Sequence, residues 1–365
     1  MTVSRPQPVS DLPLADADAH AADARAAEGR PAAPSRSNPG ALAPVYELVA
    51  DDFRAVDRLI PAQLTSDVAL VEQIGRYIVE SGGKRLRPLL VLLGARCCGF
   101  DPDRAGDRHV RLAAVIEFLH TATLLHDDVV DRSDLRRGRA TANATWGNAP
   151  SVLVGDFLYS RAFQLMVHLG DLEIMQILSD ATNAIAAGEV QQLANIGNTA
   201  LDEAAYRAVI KAKTALLFEA ATHTSAVLAG AGAAERAALC QYGLHFGLAY
   251  QLVDDWLDYA GDAALMGKNV GDDLAEGKLT LPLILALDCV SEPDGNIIRA
   301  AIAERSSRQL PEVLAIVAAS GALDATRAAA LAEADIACSA LTALPDSAYR
   351  TALLTLARHA ITRLG

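Results

Sequence analysis

The sequence predicts an all-α protein with a single large helical domain. Apolar residues recur at helical spacing in the long segments, no run alternates as a half-buried strand does, and only 5% of residues are aromatic. The chain is 52% hydrophobic, and its many Ala and Leu residues favour helices and supply a sizeable core. A length of 365 residues allows two domains but also permits a single large one. We expect one domain over residues 42–365.

Residues 1–41 contrast with this domain. They are rich in Ala, Pro, Asp and Ser and contain almost no large apolar side chains. Such a segment cannot bury enough surface to offset the entropy of ordering, so a disordered tail is predicted. Its acidic residues argue against a transit peptide, and it lacks the basic start and apolar core of a secretory signal.

Charge and cysteine content narrow the functional classes. A formal net charge of −13 argues against general nucleic-acid binding, which needs a basic face. The five cysteines are odd in number and form no C-x-x-C pair, which is typical of free thiols in a reducing compartment. No apolar run of transmembrane length lacks charges, so a cytoplasmic protein without a transmembrane segment is expected.

Helical periodicity and turn residues divide the domain into elements. Polar loops are expected at 101–108, after Asp131 and around 260–278, and Asp202 is a candidate N-cap. The predicted helices cover 44–62, 66–81, 89–98, 109–131, 150–169, 171–194, 202–229, 234–259, 279–291, 296–305, 310–319 and 322–363.

Two copies of the pattern Asp-Asp-x-x-Asp end two of these helices, at 127–131 and 254–258. Residues four apart lie about 40° apart on a helix, so Asp127 and Asp131 share a stripe, on which His120 also falls. Gln251 lies three residues before the second copy. Because both copies are embedded in apolar sequence, their carboxylates are expected to face one cavity.

Basic residues occur in four places, from which they could bind an anion beside these carboxylates or neutralise the carboxylates themselves. Lys84 and Arg87 follow Gly82-Gly83 at a predicted helix start, which favours an anion site, although a solvated basic turn is the alternative. Arg136 and Arg137 suit phosphate binding and suit neutralising the Asp residues equally well. The other two places are Lys213-Thr214, where a snorkelling surface Lys is the alternative, and a charged Gly-rich loop with Lys268.

Carboxylates gathered with this many cations are costly without a ligand, because like charges repel. Mg²⁺ would relieve the repulsion, since it is commonly shared between carboxylates and the phosphates of a substrate. The sequence lacks both G-x-x-x-x-G-K-[ST] and G-x-G-x-x-G, which argues against a nucleotide. A diphosphate on an apolar tail fits best.

From about residue 45 to the C-terminus, the order and spacing of these motifs resemble the trans-isoprenyl diphosphate synthases. The matching stretches are GGKRLRP at 82–88, DDVVD followed by Arg136-Arg137-Gly138, Lys213-Thr214, Gln251 with DDWLD, and Gly267-Lys268. HTATLLHDDVVD and PSVLVGDF look most like the bacterial long-chain type. One departure is Leu279, where relatives usually have Pro. The resemblance implies the isoprenoid synthase fold with a central active-site cavity, a homodimer and Mg²⁺ as cofactor.

The resemblance also implies a reaction, in which isopentenyl diphosphate is condensed head to tail onto an allylic diphosphate such as farnesyl diphosphate. An octaprenyl diphosphate for a quinone side chain is the expected product, although the exact chain length stays open. By its motifs, Lys84, Arg87, His120 and Arg137 would bind isopentenyl diphosphate. Asp127, Asp131 and Asp254 would hold Mg²⁺ and, with Lys213, carry the catalysis. Arg136, Lys213, Thr214, Gln251 and Lys268 would contact the allylic substrate.

Chain length is expected to follow the depth of an apolar tunnel. Ala122 and Thr123 lie just before the first motif, where an aromatic residue closes the tunnel early in this family. Both are small here, so an open tunnel and a long product are predicted, with Phe163 and Met166 as candidates for its floor.

Two rival classes remain at this point. A terpene cyclase or a head-to-head prenyl synthase would also use a diphosphate and Mg²⁺, but a cyclase needs a single allylic substrate, whereas two basic sets favour two diphosphates. A non-catalytic subunit of a heteromer would be expected to lose acidic or basic positions, and none is lost.

Overall fold

The computed structural model describes residue 40, residues 42–260 and residues 270–364. The helices are α1 (Ala43–Glu47), α2 (Ala50–Ala62), α3 (Ala69–Glu80), α4 (Leu86–Cys97), α5 (Pro102–Ala105), α6 (Arg108–Val130), α7 (Ala142–Trp146), α8 (Asn148–Leu169), α9 (Leu172–Ala194), α10 (Glu203–Ile210), α11 (Leu216–Leu228), α12 (Ala233–Ala260), α13 (Asp272–Glu276), α14 (Leu281–Cys289), α15 (Glu292–Glu304), α16 (Leu310–Ser320), α17 (Ala322–Ala340) and α18 (Ala348–Ile361). A short hairpin joins β1 (Leu135–Arg136) to β2 (Arg139–Ala140). The all-α prediction is confirmed.

Two buried clusters form the core, and α12 contributes to both. The larger cluster gathers α2, α4, α6, α8, α9 and α11 with the first half of α12, including Tyr242 and Phe246. The smaller gathers α14 to α17 with the second half of α12, from Leu248 to Tyr259. Helices α4 and α6 are apolar around most of their circumference because neighbours cover them on several sides. They fix the segments that carry Arg87 and the first acidic motif.

The structure corrects several predicted boundaries. The polar loop at 101–108 contains α5, whose N-cap Asp101 accepts a hydrogen bond from the Asp103 N–H. The single helix predicted over 322–363 is two helices, because the chain breaks after a 3₁₀ turn at Leu341–Ala343 and Pro345 follows. The helix predicted over 202–229 contains a π-helical turn at Lys211–Ala215. Asp202 caps α10 as predicted, accepting from the Ala205 N–H at 2.8 Å.

Within the described residues, no single helix combines the length and apolarity needed to cross a bilayer. One pair, Ser307–Ser320 with Ala322–Ala343, passes that test only when its two members are taken together, and it is bent by 68°. The tail predicted over residues 1–41 lies outside the described residues apart from Gly40.

Candidate active site

The first acidic motif lies at the C-terminal end of α6, and its three carboxylates have different partners. Asp127 lies 4.0 Å from the Lys213 ammonium, and Asp131 accepts from the Lys278 ammonium at 3.4 Å. The middle residue, Asp128, is fully buried, and its Oδ1 accepts from Nε and Nη2 of Arg136 at 2.9 and 2.7 Å. Asp127 and Asp131 are therefore able to bind a ligand, whereas Asp128 is buried and already bound by Arg136.

The surroundings of Asp127 make its charge costly. Burial raises the pKa of this carboxyl to about 6; the Lys213 ammonium opposes the rise, and the carboxylates of Glu189 and Asp131 add to it. Lys213 is also bound by Glu189, whose Oε2 lies 2.9 Å from its ammonium. A cation bound between Asp127 and Asp131 would stabilise both negative charges.

Lys213 and Thr214 lie on the π-helical turn between α10 and α11, and two glycines allow neighbouring helices to approach it closely. A Cβ at Gly188 of α9 would lie 2.4 Å from the Cβ of Ala212, and one at Gly247 of α12 would lie 2.6 Å from the Cα of Ala215. Single π turns interrupt helices mainly at functional sites. The turn thus places the two predicted site residues between α9 and α12.

The second acidic motif lies near the end of α12. Asp254 is half-buried, whereas Asp255 and Asp258 are buried. Asp258 accepts from the backbone N–H of Asp273 at 3.2 Å, so it anchors the start of α13. Burial, followed by the Asp273 carboxylate, raises the pKa of Asp255 to about 7 and that of Asp258 to about 8.

A basic cleft lies beside the first motif, and Arg136, Arg137 and His120 line it together with Arg85 and Glu117. Burial lowers the pKa of His120 well below its ordinary value, and the nearby Arg87, Arg137 and Arg136 lower it further. The imidazole is therefore neutral near pH 7, and its Nε2 accepts from Nη1 of Arg87 at 3.1 Å.

Arg87 is held from a second side by an aromatic ring. Its guanidinium lies 4.0 Å from the ring centroid of Phe218, a contact that favours a desolvated cation. Burial lowers its pKa to about 10, which still leaves it charged at neutral pH, and Glu117 opposes that lowering. Lys84, by contrast, is exposed and lines a separate depression with Phe246 and Tyr250.

The β hairpin determines where Arg136 and Arg137 point. Arg137 and Gly138 form its two-residue turn and both have positive φ, of 54° and 75°, as a type I′ turn requires. The hairpin rests on α3, where the Tyr77 hydroxyl donates to the Ala140 carbonyl at 2.7 Å and Arg139 lies over the Tyr77 ring. Arg137 is thereby brought against Gly83, where a Cβ would lie 2.5 Å from its Nη1.

The remaining predicted residues are placed as follows. Thr214 and Gln251 contact each other, since the Thr214 hydroxyl donates to Oε1 of Gln251 at 2.7 Å. Ala122 is fully buried, and the Thr123 hydroxyl donates to the His120 carbonyl at 2.8 Å. Lys268 lies outside the described residues.

The sequence prediction missed four charged residues that the structure places in or beside the site. Arg85 and Glu117 line the basic cleft, and Glu189 and Lys278 pair with Lys213 and Asp131. Glu117 lies three residues before His120 on one helix face, a spacing that could have identified it. Lys278 approaches Asp131 from 147 positions along the chain, and no sequence spacing signals that contact.

The donor set of the two motifs fits a hard divalent cation. Carboxylate oxygens are the ligands that Mg²⁺ and Ca²⁺ prefer. Within residues 42–260 and 270–364, no three His, Cys, Asp or Glu side chains are close enough to form a metal site by themselves.

Comparison with known proteins gives consistent matches over most of the chain. The model of the polyprenyl synthetase family matches residues 68–318. Octaprenyl diphosphate synthase of Escherichia coli (strain K12) is 51% identical over 323 residues, which cover 88% of this chain and 99% of that protein. All-trans-nonaprenyl-diphosphate synthase (geranyl-diphosphate specific) of Rhodobacter capsulatus is 48% identical over 87% of this chain and 96% of its own length.

Among solved structures, a polyprenyl synthase from Caulobacter crescentus CB15, complexed with calcium and isoprenyl diphosphate, superposes with a TM-score of 0.85. It is 44% identical, and the match covers 92% of this chain and all of that one.

Proposed function

The chain belongs to the polyprenyl synthetase family and is a prenyltransferase, and we propose that it extends an allylic diphosphate, such as farnesyl diphosphate, by successive head-to-tail additions of isopentenyl diphosphate. The proposed product is octaprenyl diphosphate, the precursor of a quinone side chain. The likeness to the Escherichia coli enzyme supports this product over the longer one of the Rhodobacter relative.

One observation supports a reaction between two diphosphate substrates: the site has two separate sets of positively charged side chains. Arg137 lines the basic cleft, and Arg87 lies behind it, bound to the lining residue His120. Lys213 and Lys278 instead lie beside the carboxylates of the first motif. A cyclase, with one diphosphate, needs only one such set. We assign the cleft to isopentenyl diphosphate and the motif side to the allylic diphosphate.

The proposed reaction begins with breakage of the allylic C–O bond, and the pair of electrons leaves with the diphosphate. Lys213, beside Asp127, would stabilise that developing charge. The double bond of isopentenyl diphosphate, held by Arg87 and Arg137, then forms the new C–C bond, and a proton is lost to the departing diphosphate. Neutral His120 can accept from Arg87 and so orients it without adding a further charge.

We propose that Mg²⁺ ions bind at both acidic motifs, on Asp127 and Asp131 of the first and on Asp254 of the second, with the substrate's phosphates completing their coordination. When bound, they would neutralise the leaving diphosphate. Burial and neighbouring carboxylates disfavour the charged form of Asp127, as its raised pKa shows. A bound cation would offset this cost, because a neighbouring positive charge favours the ionised carboxyl. Lys278 pairs with both Asp131 and Glu276, and a cation on Asp131 would let it turn an N–H group from Asp131 towards the diphosphate while Glu276 still holds it.

The assembly and location are also proposals. Helices α8 and α9 expose Leu153, Val167, Leu172, Val190 and Leu193, an apolar surface that supports the homodimer. The five cysteines are free, which fits the reducing cytoplasm. Sedimentation analysis would test the dimer, and Val190→Glu should shift it towards monomer.

The decisive experiment is incubation with farnesyl diphosphate, isopentenyl diphosphate and Mg²⁺, followed by chromatography of the dephosphorylated products. We expect a ladder that ends at the octaprenyl alcohol. Geranyl diphosphate in place of farnesyl diphosphate tests the starter. Consumption of farnesyl diphosphate without isopentenyl diphosphate would instead indicate a cyclase or a head-to-head prenyl synthase and refute the proposal.

A further inference from the structure

Both oxygens of the Asp255 carboxylate are occupied inside the protein. Oδ2 accepts from the Tyr206 hydroxyl at 2.5 Å, and Oδ1 accepts from Nε2 of Gln251 at 2.7 Å. Asp255 and Tyr206 are each only 3% exposed. Although Asp255 belongs to the second acidic motif, its hydrogen bonds direct it towards the helices and leave it poorly placed to bind a cation.

These bonds continue to the π-helical turn. Gln251 uses its other polar atom, Oε1, to accept from the Thr214 hydroxyl at 2.7 Å. When ionised, the Asp255 carboxylate only accepts hydrogen bonds, so it requires Gln251 to present its NH₂ group, and the amide oxygen must then face Thr214. The order Tyr206–Asp255–Gln251–Thr214 therefore fixes the direction of the Thr214 hydroxyl proton, towards Gln251.

The direction of that proton matters where a carbocation forms. A hydroxyl that donates to Gln251 leaves only oxygen lone pairs to face the site, and these stabilise positive charge. A hydroxyl that turned its proton towards the site would oppose the same charge. Asp255 and Gln251 lie on α12, whereas Tyr206 lies on α10 and Thr214 on the turn that follows it. The series therefore ties both α10 and the π-helical turn to α12.

We propose that Tyr206 is a positioning residue for the condensation reaction, acting through Asp255 and Gln251 to orient the hydroxyl of Thr214. The inference rests on the proposed function. Without the Tyr206 hydroxyl, one oxygen of Asp255 loses its donor and competes for the Gln251 amide, which frees Thr214 to rotate. We expect the effect on the chemical step, because Tyr206 is buried and acts on the site only through Asp255 and Gln251.

The test compares Tyr206→Phe with Tyr242→Phe. Tyr242 is fully buried and also donates one hydrogen bond, to the Leu353 carbonyl at 2.8 Å, so each variant removes one buried hydroxyl. We expect similar losses of thermal stability in both. Only Tyr206→Phe should lower kcat, by about tenfold, the lower end of what loss of an indirect partner costs, with the KM of each substrate unchanged.

Equal kcat values for wild type and Tyr206→Phe, or equal losses in the two variants, would overturn the proposal. An inactive wild type would refute the proposed function itself, so the two failures are distinguishable.

Exchange of the acid and the amide gives a second readout. Asp255→Asn should reverse the Gln251 amide and lower kcat, and adding Gln251→Glu should restore part of it, because the acceptor facing Thr214 returns. A double variant no more active than Asp255→Asn would also overturn the proposal.

Discussion

Removal of the Arg136 guanidinium should destabilise the whole fold as well as the site. Arg136→Ala takes away both N–H groups that Asp128 accepts from, at 2.9 and 2.7 Å. Asp128 is fully buried, and its second oxygen, Oδ2, has no hydrogen-bond partner among the described residues. After the substitution, Oδ1 of the buried carboxylate has lost both of its Arg136 donors, and Oδ2 has no donor to replace them.

The cost follows from that burial. Removing one partner of a buried ion pair destabilises a protein by about 3–5 kcal/mol. The Arg136 side chain is 29% exposed and not fully desolvated, so we expect a loss in the lower part of that range, about 3–4 kcal/mol. At roughly 2 °C per kcal/mol for a domain of this size, Tm should fall by about 6–8 °C.

Arg137→Ala is the matched control, because Arg137 is exposed and lies next to Arg136 in the same hairpin. It should shift Tm by about 2 °C or less, as surface substitutions do, while raising the KM for isopentenyl diphosphate. Thermal denaturation followed by circular dichroism measures both variants. Arg136→Ala/Asp128→Asn should recover part of the lost stability, because no buried charge remains. Equal Tm values for the two single variants would refute the argument.

Three further predictions use other parts of the structure. Asp127→Ala should lose most turnover while circular dichroism reports an unchanged fold, and near-normal activity would reject the role of Asp127 in cation binding. Ala122→Tyr should shorten the product, at a cost of about 1–3 kcal/mol because the site is fully buried; an unchanged product length would reject the gatekeeper role. Burial would raise the pKa of Asp52, but His109, whose Nε2 lies 3.0 Å from Oδ1, and the hydrogen bond from Arg96 to Oδ2 outweigh it and lower the pKa. Asp52→Asn should therefore destabilise the protein by about 2 kcal/mol near pH 7, and urea denaturation should find the difference shrinking below about pH 4; a difference independent of pH would contradict this.

The sequence predicted the helices well, because helical periodicity depends on local spacing, and the relative placement of residues within one motif follows from the same spacing. Asp127 and Asp131 are separated by one helical turn, and Lys213 and Thr214 are adjacent, so their relation needs no tertiary information. The fold class followed from periodicity, and the N-cap at Asp202 followed from its chemistry.

Contacts between distant segments were beyond this reasoning. The π-helical turn depends on close approaches at Gly188 and Gly247, which have meaning only once α9 and α12 pack against it. The direction of Arg137 depends on a hairpin held by Tyr77, whose hydroxyl reaches a carbonyl 63 residues away. Glycine and tyrosine at such positions resemble ordinary core and turn residues in the sequence.

The middle aspartate of each acidic motif has a different role from the residues on either side of it. Adjacent residues lie about 100° apart on a helix, so the second Asp must point away from the stripe that the first and third share. Asp128 and Asp255 are correspondingly buried, and each is bound by partners within the protein, Arg136 in the first motif and Tyr206 with Gln251 in the second. In the first motif, Asp127 and Asp131 are left for a ligand and Asp128 secures the basic hairpin. In the second motif, Asp255 secures the π-helical turn and Asp258 the start of α13, which leaves Asp254 for a ligand. Variants at the middle positions should consequently resemble variants of their partners more closely than variants of the flanking aspartates.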